Sequence, residues 1–568
     1  MKKYNVIIAL FMLIAFVSCD GFLDMPPDNR TELDSGDKIA RLLVSAYSDA
    51  SFWWLTEFAS DNTDENTGGV FTVLNEMDEP AFFWRQPDLT IQDTPHAIWN
   101  STYGAIAAAN HALAAIERLE REGYPHCLNH LRGEALLARA YGHFKLVNLF
   151  AQHYSPITGH EDLGIPYIEH PETTVNPHYE RLSVAEVYAR IDRDIRAGID
   201  LIDDSHFRVA RYRFNRRAAA AFAARFNLYY TRWEEAVRFA DMALAGAQFR
   251  NWAEAQGEMD FQTRSNNFID ARNPANFLIR TTFSSWPIVH GPFGAGSRFS
   301  HNRRINMTET AESQGPWGNG RIVFHYGTFS FTGGLPKHQM LKFFLYFEFT
   351  DVIAQIGFRR MVQVDFTAEE TLLVRAEAHA MMGNFDAALQ DINTFLDHFA
   401  TPAGRNLTLQ RIYDFYRNPI HGQAGGMEYY TYSRPTPKKR LNPDFEIQQG
   451  MQMNLIHCIL HLRRILTLHE GLRWFDIKRY GIEIYRRSID QRTGRVTKLD
   501  RLPVGDPRRA FQIPQAVIGA GLEPNPGPNH PSSERPQSIR PSDDIFLNFP
   551  VNFPTEFSPI PEYYSTLR

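Results

Sequence analysis

Two distant stretches of this chain carry one pattern. Arg225 to Ala243 reads RFNLYYTRWEEAVRFADMA and Glu377 to Phe395 reads EAHAMMGNFDAALQDINTF, and they superpose with Trp233 on Phe385 and Ala236 on Ala388. In the first copy Phe222, Phe226, Tyr229 and Trp233 recur at steps of three and four, which places bulky apolar groups on one face of a helix. Small residues at Ala224 and Ala376 let a partner helix come close, and the links Thr231-Arg232 and Gly383-Asn384 fold the chain back. Each copy therefore reads as helix, short turn, helix, like the tetratricopeptide pair of about 34 residues. Such a pair leaves an apolar face uncovered, so neighbouring pairs must stack.

Further helices are expected at Gly36 to Ala50, Thr94 to Arg121, Leu131 to Phe150, Val184 to Ile202 and Gln452 to Arg487. Between them lie irregular stretches at 52 to 93, 247 to 366 with two short strands, 400 to 450, and 503 to 568. Connections of this length in a compact domain are usually functional or disordered.

The amino terminus carries an export signal. Lys2 and Lys3 precede an apolar run from Val6 to Val17, too short to cross a bilayer core of about 30 Å as a helix. The run ends at Ser18-Cys19, which points to cleavage after Ser18 and acylation of the Cys19 thiol; cleavage by the ordinary peptidase is the competing reading. Two or more acyl chains hold a protein stably on a membrane without spanning it.

A net charge of −6 and no basic block longer than Lys438-Lys439-Arg440 exclude a nucleic-acid backbone reader. Beyond Cys19 there are only Cys127 and Cys458, expected as two buried free thiols rather than a bridge, and no C-x-x-C framework for a metal. No G-x-S-x-G elbow, H-E-x-x-H or P-loop is present. A glycosidase carboxylate pair stays open, because spacing along a chain does not say whether two carboxylates meet.

Asp61-Asn-Thr-Asp-Glu-Asn-Thr-Gly68 is rich in oxygen ligands and could hold a structural Ca²⁺, although its spacing misses the EF-hand pattern; a loop that hydrogen-bonds a ligand, or a solvated turn, are the alternatives. Arg473, Asp476 and Arg479 place opposite charges three apart on a helix and read as structural ion pairs beside Trp474 and Phe475.

Aromatic residues are 13% of the chain, and several fall in the irregular stretches. Sugar rings have apolar C–H faces and hydroxyl rims, so a site for them needs flat hydrophobic platforms beside amides, carboxylates or guanidinium groups. The candidates are Trp53 and Trp54 with Asp61 and Asn62, Trp84 with Arg85, Trp286, Trp317 with Asn319, and Tyr326. Core packing is the competing reading for each ring. Trp99 and Tyr103, four apart on a helix, are expected in the core.

Taken in order, Cys19-Asp-Gly-Phe-Leu-Asp-Met-Pro-Pro-Asp28, Tyr103-Gly-Ala-Ile-Ala-Ala-Ala-Asn-His-Ala-Leu113, Glu134-Ala-Leu-Leu-Ala-Arg-Ala-Tyr141, Leu163-Gly-Ile-Pro-Tyr167, Arg375 to Gly383, Glu470-Gly-Leu-Arg-Trp-Phe-Asp-Ile-Lys-Arg479, Ile513-Pro-Gln and Asn525-Pro-Gly527 resemble the SusD/RagB family of Bacteroidetes surface lipoproteins. The resemblance implies a mainly α fold, with tetratricopeptide-like helix pairs forming a right-handed superhelical scaffold and long irregular loop insertions. It implies a leader at 1 to 18 and one domain at 19 to 568, with the scaffold at about 36 to 246 and 367 to 487, an insertion at about 247 to 366 and a Pro-rich segment at about 503 to 568. Leu462 and Leu466 stand where the family has glutamates, so a shared salt-bridge network is not carried over to that place, and Pro528 stands where a Tyr usually follows Asn-Pro-Gly.

The function implied is capture of oligosaccharide at the outer-membrane surface for a partner SusC-like TonB-dependent transporter, with no bond broken and no cofactor. Oligopeptide capture by the same kind of protein, a surface glycoside hydrolase, and a tetratricopeptide scaffold without a small ligand are the alternatives.

Overall fold

The computed structural model describes residues 32–527 apart from 72, 74, 88, 175–176, 252–260, 291–296, 320–327, 332–336 and 341. Cys19 and Tyr326 lie outside the described residues, as do the leader and the tail beyond Gly527.

Several of the helices begin where a side chain supplies a cap. After α1 (Gly36–Leu42) and α2 (Trp53–Ala59), Thr94 caps α3 (Pro95–Arg121) through its side chain, with Pro95 in the first turn where no N–H is needed. α4 (Asn129–Phe150) follows, and α5 (Val184–Gly198) opens on a Ser183/Glu186 capping box. Asn215 caps α6 (Arg216–Tyr229), which turns into α7 (Trp233–Leu244). Thr367 caps α8 (Ala368–Met381), which turns into α9 (Phe385–Phe399). α10 (Leu409–Tyr416), α11 (Met451–Leu466) and α12 (Arg473–Arg479) complete the scaffold.

The repeat is two hairpins that share a turn geometry. In α6–α7 the Thr231 N–H donates to Leu228 O (3.3 Å) and the Arg232 N–H to Asn227 O (2.9 Å); in α8–α9 Gly383 donates to Ala380 O (3.2 Å) and Asn384 to His379 O (2.9 Å). Both are Schellman caps, and the residue in the left-handed region is Thr231 (φ 59°) in one copy and Gly383 (φ 79°) in the other. α7 packs on α8 and α6 also touches it, so the hairpins stack side by side, while α3, α4 and α5 continue the array at one end and α11 with α10 at the other. Phe222, Phe226, Ala224 and Ala376 are all buried in the continuous core that results.

The expected helix from Gln452 to Arg487 is corrected. α11 stops at Leu466, the chain turns with His469 and Gly471 at positive φ, α12 is short, and from Ile484 the chain is a strand. A Cβ at Gly471 would run into Thr56 and the Trp53 backbone, so the turn lets α2 lie directly on this segment.

Strands supply the remainder. β1 (Asp64–Thr67), β3 (Phe299–Ser300), β8 (Ile484–Asp490) and β9 (Val496–Leu502) form a sheet in the order β3-β1-β8-β9, in which Glu65 pairs with Ser488 in parallel register. β2 (Asn276–Phe283), β7 (Ile356–Thr367) and β6 (Tyr346–Asp351) form a second sheet, and β4 (Thr328–Phe331) pairs with β5 (Lys337–Met340). The expected oxygen-rich loop after Asp61 is thus partly a strand, and the insertion is more regular than two short strands.

Both thiols are free, but Cys127 is exposed and only Cys458 is buried, which corrects half of the expectation for them. No described helix is long and apolar enough to cross a membrane.

Candidate functional site

The rings expected to stand outward lie inward. Trp54 and Trp286 stack at 6.2 Å with Phe58 edge-on to both; Trp54 Nε1 donates to Asp78 (3.2 Å) and Trp286 Nε1 to the His469 carbonyl (3.0 Å). Trp53 lies against Phe343, and Trp317 against His461. Trp54 and Trp317 are each 1% exposed, which leaves no face for a sugar to cover. The outward placement of Trp53, Trp54, Trp286 and Trp317 is therefore corrected: their irregular segments fold into the core, and each buried indole that donates has found an internal carbonyl or carboxylate.

Trp84 is held in the left-handed region (φ 56°), where a bulky residue persists only if its surroundings over-determine it. Its Nε1 donates to Ala59 O (2.8 Å), and Arg486 lies 4.1 Å over its ring while donating to Phe58, Ala59 and Ser60 carbonyls. The pair satisfies the carbonyl end of α2, where a cation is favoured. Trp84 is thus a helix cap rather than an open platform, and Arg85 beside it is buried over Phe83. Together they edge a groove of about 50 Å³ whose other wall is Pro507 to Gln512.

Asp61 and Asn62 belong to a buried charge network. Arg473 grips Asp61 (2.9 and 3.1 Å), Arg464 donates to the Asn62 side chain (2.9 Å) and to Glu309 (3.0 Å), and Lys439 reaches Glu309 (2.6 Å). Arg487 bridges Asp64 (2.9 Å) and Glu309 (2.9 Å), and Arg298 takes Glu65 (2.6 Å). Burial pushes the Asp61 carboxyl up, but Arg464, Arg473 and Lys439 outweigh it and hold the group well below the usual carboxylate range. Lys439 is brought down to about 8 by burial, against the pull of Glu309. These carboxylates already face guanidinium groups, which corrects the calcium reading of the loop; among the described residues no group of three or more His, Cys, Asp or Glu is arranged for a metal. A network stands here although Leu462 and Leu466 occupy the places where the resembled family has glutamates, because Arg463 and Arg464 draw carboxylates from distant segments. Asp476 pairs with Arg463 (3.2 Å) and Arg479 (3.3 Å), as the three-residue spacing suggests for the latter, while Arg473 turns to Asp61 instead.

The aromatic surface that remains open is elsewhere. Tyr430, Tyr432 and Tyr485 are half-buried and form a stripe, with Tyr485 6.4 and 6.3 Å from the other two rings. Lys498 lies 5.5 and 5.9 Å from Tyr432 and Tyr485, and Lys439 lies 3.2 Å under Tyr430. Tyr485 projects from β8, and the 430–434 turn is fixed by Tyr430 N–H to Lys438 O (2.8 Å) and by Arg304 to Ser433 O (3.2 Å). The stripe thus sits directly on the charge network, with the exposed hydroxyl of Thr431 and the exposed Arg434 beside it. Its clue in the sequence is Glu428-Tyr-Tyr-Thr-Tyr-Ser-Arg434, a run of rings and hydroxyls inside an irregular stretch. Asn319, beside Trp317, is exposed.

The insertion carries further outward rings at Phe347, Phe349 and Phe358 on the β6–β7 hairpin, whose tip residue Ile353 is 98% exposed. Trp99 is buried against Phe150 and Tyr103 is half-buried, close to the core placement expected for them.

Residues 21–228 match a SusD-like family model described as starch-binding and associating with the outer membrane. No curated protein matches the chain in sequence. Among solved structures, a putative sugar binding protein from Bacteroides vulgatus is 18% identical with a TM-score of 0.59, over 88% of this chain and 100% of that one. A SusD superfamily protein from Bacteroides vulgatus (17%, 0.57, 88% and 99%) and one from Bacteroides thetaiotaomicron (17%, 0.56, 88% and 100%) share the fold to the same extent. At its amino-terminal end the chain thus matches a SusD-like family model, and along its length it has the fold of these SusD superfamily structures.

Proposed function

We propose that this chain is a cell-surface lipoprotein that binds oligosaccharide and delivers it to a SusC-like TonB-dependent outer-membrane transporter. The observation that carries the reading is the match of residues 21–228 to a family described as starch-binding and outer-membrane-associated. In this reading residues 1–18 are the leader and Cys19 bears the acyl chains that hold the chain on the membrane. One domain, 19–568, does the binding.

The tyrosine stripe supports the same reading on chemical grounds. Tyr430, Tyr432 and Tyr485 offer amphipathic faces at low entropic cost, and Thr431 and Arg434 offer hydrogen bonds to a hydroxyl rim. Trp53, Trp54, Asp61, Asn62, Trp84, Arg85, Trp286 and Trp317 serve behind it, as the frame that keeps the surface in one shape. A few rings on an open face give a Kd on the order of 0.01 to 1 mM, equivalent to about 4 to 7 kcal/mol.

Affinity electrophoresis of the purified chain through gels loaded with starch, xylan, mannan or β-glucan tests this, with titration of a peptide digest as the counterpart. Retardation by at least one glycan, with no reducing ends released on long incubation, is expected. Binding of the digest alone would assign the protein to peptide capture, and release of reducing ends would assign it to hydrolysis.

A further inference from the structure

A second concavity, about 220 Å³, opens on another part of the surface, away from every residue expected from the sequence to touch ligand. Its floor is the half-buried Tyr103 backed by the edge of the largely buried Trp99, four apart on α3 with ring centroids 4.9 Å apart, and its walls include Ile168, Tyr179, Val517 and Leu522.

The walls come from three distant segments and are tied together. Tyr103 Oη donates to Pro166 O (2.9 Å). Arg181, two residues after Tyr179, donates to Gly164 O (2.6 Å), Glu523 O (2.9 Å) and Asn525 Oδ1 (2.7 Å). The Asn525 amide in turn donates to Phe150 O (2.9 Å) and Phe511 O (2.7 Å), which gives the Asn-Pro-Gly motif a physical role as the clasp of this wall. The hollow is thus built in advance of any ligand.

The rim is polar. Glu172 is exposed and accepts a hydrogen bond from Tyr179 Oη (2.5 Å), which orients the carboxylate while using one of about four acceptor positions. His170 and His178, both exposed, stand on the same rim. Arg181 spends its guanidinium on carbonyls, so the hollow presents neither a charged floor for an anion nor a buried carboxylate for a cation. An aromatic floor under an edge of oriented acceptors suits a neutral ring with apolar faces and a hydroxyl rim. The volume lies below the roughly 300 Å³ at which sites for larger ligands begin, which suits one ring rather than several.

We infer that the Trp99–Tyr103–Tyr179 hollow is a second carbohydrate subsite, which holds a single pyranose unit. The inference rests on the glycan reading above and extends it: the chain grips a long glycan at two separate points, so avidity grows with glycan length.

Fluorescence titration of the full chain with maltoheptaose, xylohexaose, mannohexaose and cellohexaose tests it, because Trp99 reports on the floor. In a Tyr430→Ala/Tyr432→Ala background, the oligosaccharide that the wild type binds is expected still to shift the emission. Adding Tyr179→Ala, or Glu172→Ala at the exposed rim, is expected to weaken that remaining response at least fivefold. If both additions leave it unchanged, or if the stripe variant alone abolishes it, the hollow is not a subsite while the glycan reading stands. A response to a proline-rich peptide in place of all four sugars would overturn the ligand class. If no polysaccharide gel retards the wild type either, the glycan reading and this extension both fall.

Discussion

Asp61 shows how much of this molecule is decided by single charges. Its carboxylate receives Arg473 directly and lies within 3.5 Å of Arg464 and Lys439, and all four groups are buried. Asp61→Ala takes from Arg473 the carboxylate it grips and leaves Glu309 alone to face Arg464 and Lys439, and breaking such a buried set costs about 3 to 5 kcal/mol. A marked fall in the urea midpoint is expected, with Asp61→Asn intermediate. His461 makes the opposite case, a base kept neutral. It lies between Ser313 Oγ (2.8 Å) and Tyr416 Oη (2.9 Å), and burial, with Arg464 and Arg473 nearby, brings its value from 6.5 down to about 3. The unfolded chain therefore takes up a proton that the fold refuses, so stability is lost as pH falls from about 6.5 towards 3. His461→Gln, measured by urea denaturation at pH 7, 6 and 5, is expected to reduce that slope by up to about 1.4 kcal/mol per pH unit. An unchanged slope would mean that this ring is protonated in the fold. Little of this was legible in the sequence. Arg473 could be picked out on its helix, but its partner Asp61, and Glu309 that holds Arg464, come from segments that no local spacing connects to them.

At the scale of elements, the repeat was the most readable feature, because a helical apolar face and a short link are both local. The two turns even show which residue suits them. Thr231 is β-branched in a conformation that costs an L-residue roughly 1 to 2 kcal/mol, whereas Gly383 has no such penalty and open space around it. Thr231→Gly is expected to raise the thermal midpoint, by about 1 kcal/mol of stability, and Gly383→Thr to lower it by a similar amount. The same shift in both variants would mean that the turns are not equivalent. The overextended helix from Gln452 to Arg487 fails for a related reason. Apolar residues continue through Leu472, Trp474, Phe475 and Ile477, so periodicity alone carries the helix on, while the turn at Gly471 and the strand from Ile484 answer to α2 and β1, hundreds of residues away.

Across the whole molecule, the stacked hairpins and the family pattern were legible, and the orientation of the rings was not. Composition says that tryptophans fall in irregular segments, but whether such a segment lies outside the core or inserts into it depends on what the rest of the chain leaves uncovered. Here the tryptophans of the expected site fill space between α2, α11 and the insertion, and the outward aromatic surface passes to Tyr430, Tyr432 and Tyr485. The long helices are thus a rigid frame, the buried charges fix the segments that cross it, and the half-buried tyrosine stripe and the Phe347, Phe349 and Phe358 rings are aromatic surface left towards solvent.

The most direct measurement is the retardation of the wild type and of Tyr430→Ala/Tyr432→Ala in one polysaccharide gel series, with circular dichroism to verify that both are folded. The account predicts that at least one glycan retards the wild type and that the variant moves closer to its mobility without glycan. Equal retardation of two folded proteins would contradict the assignment of the grip to this surface.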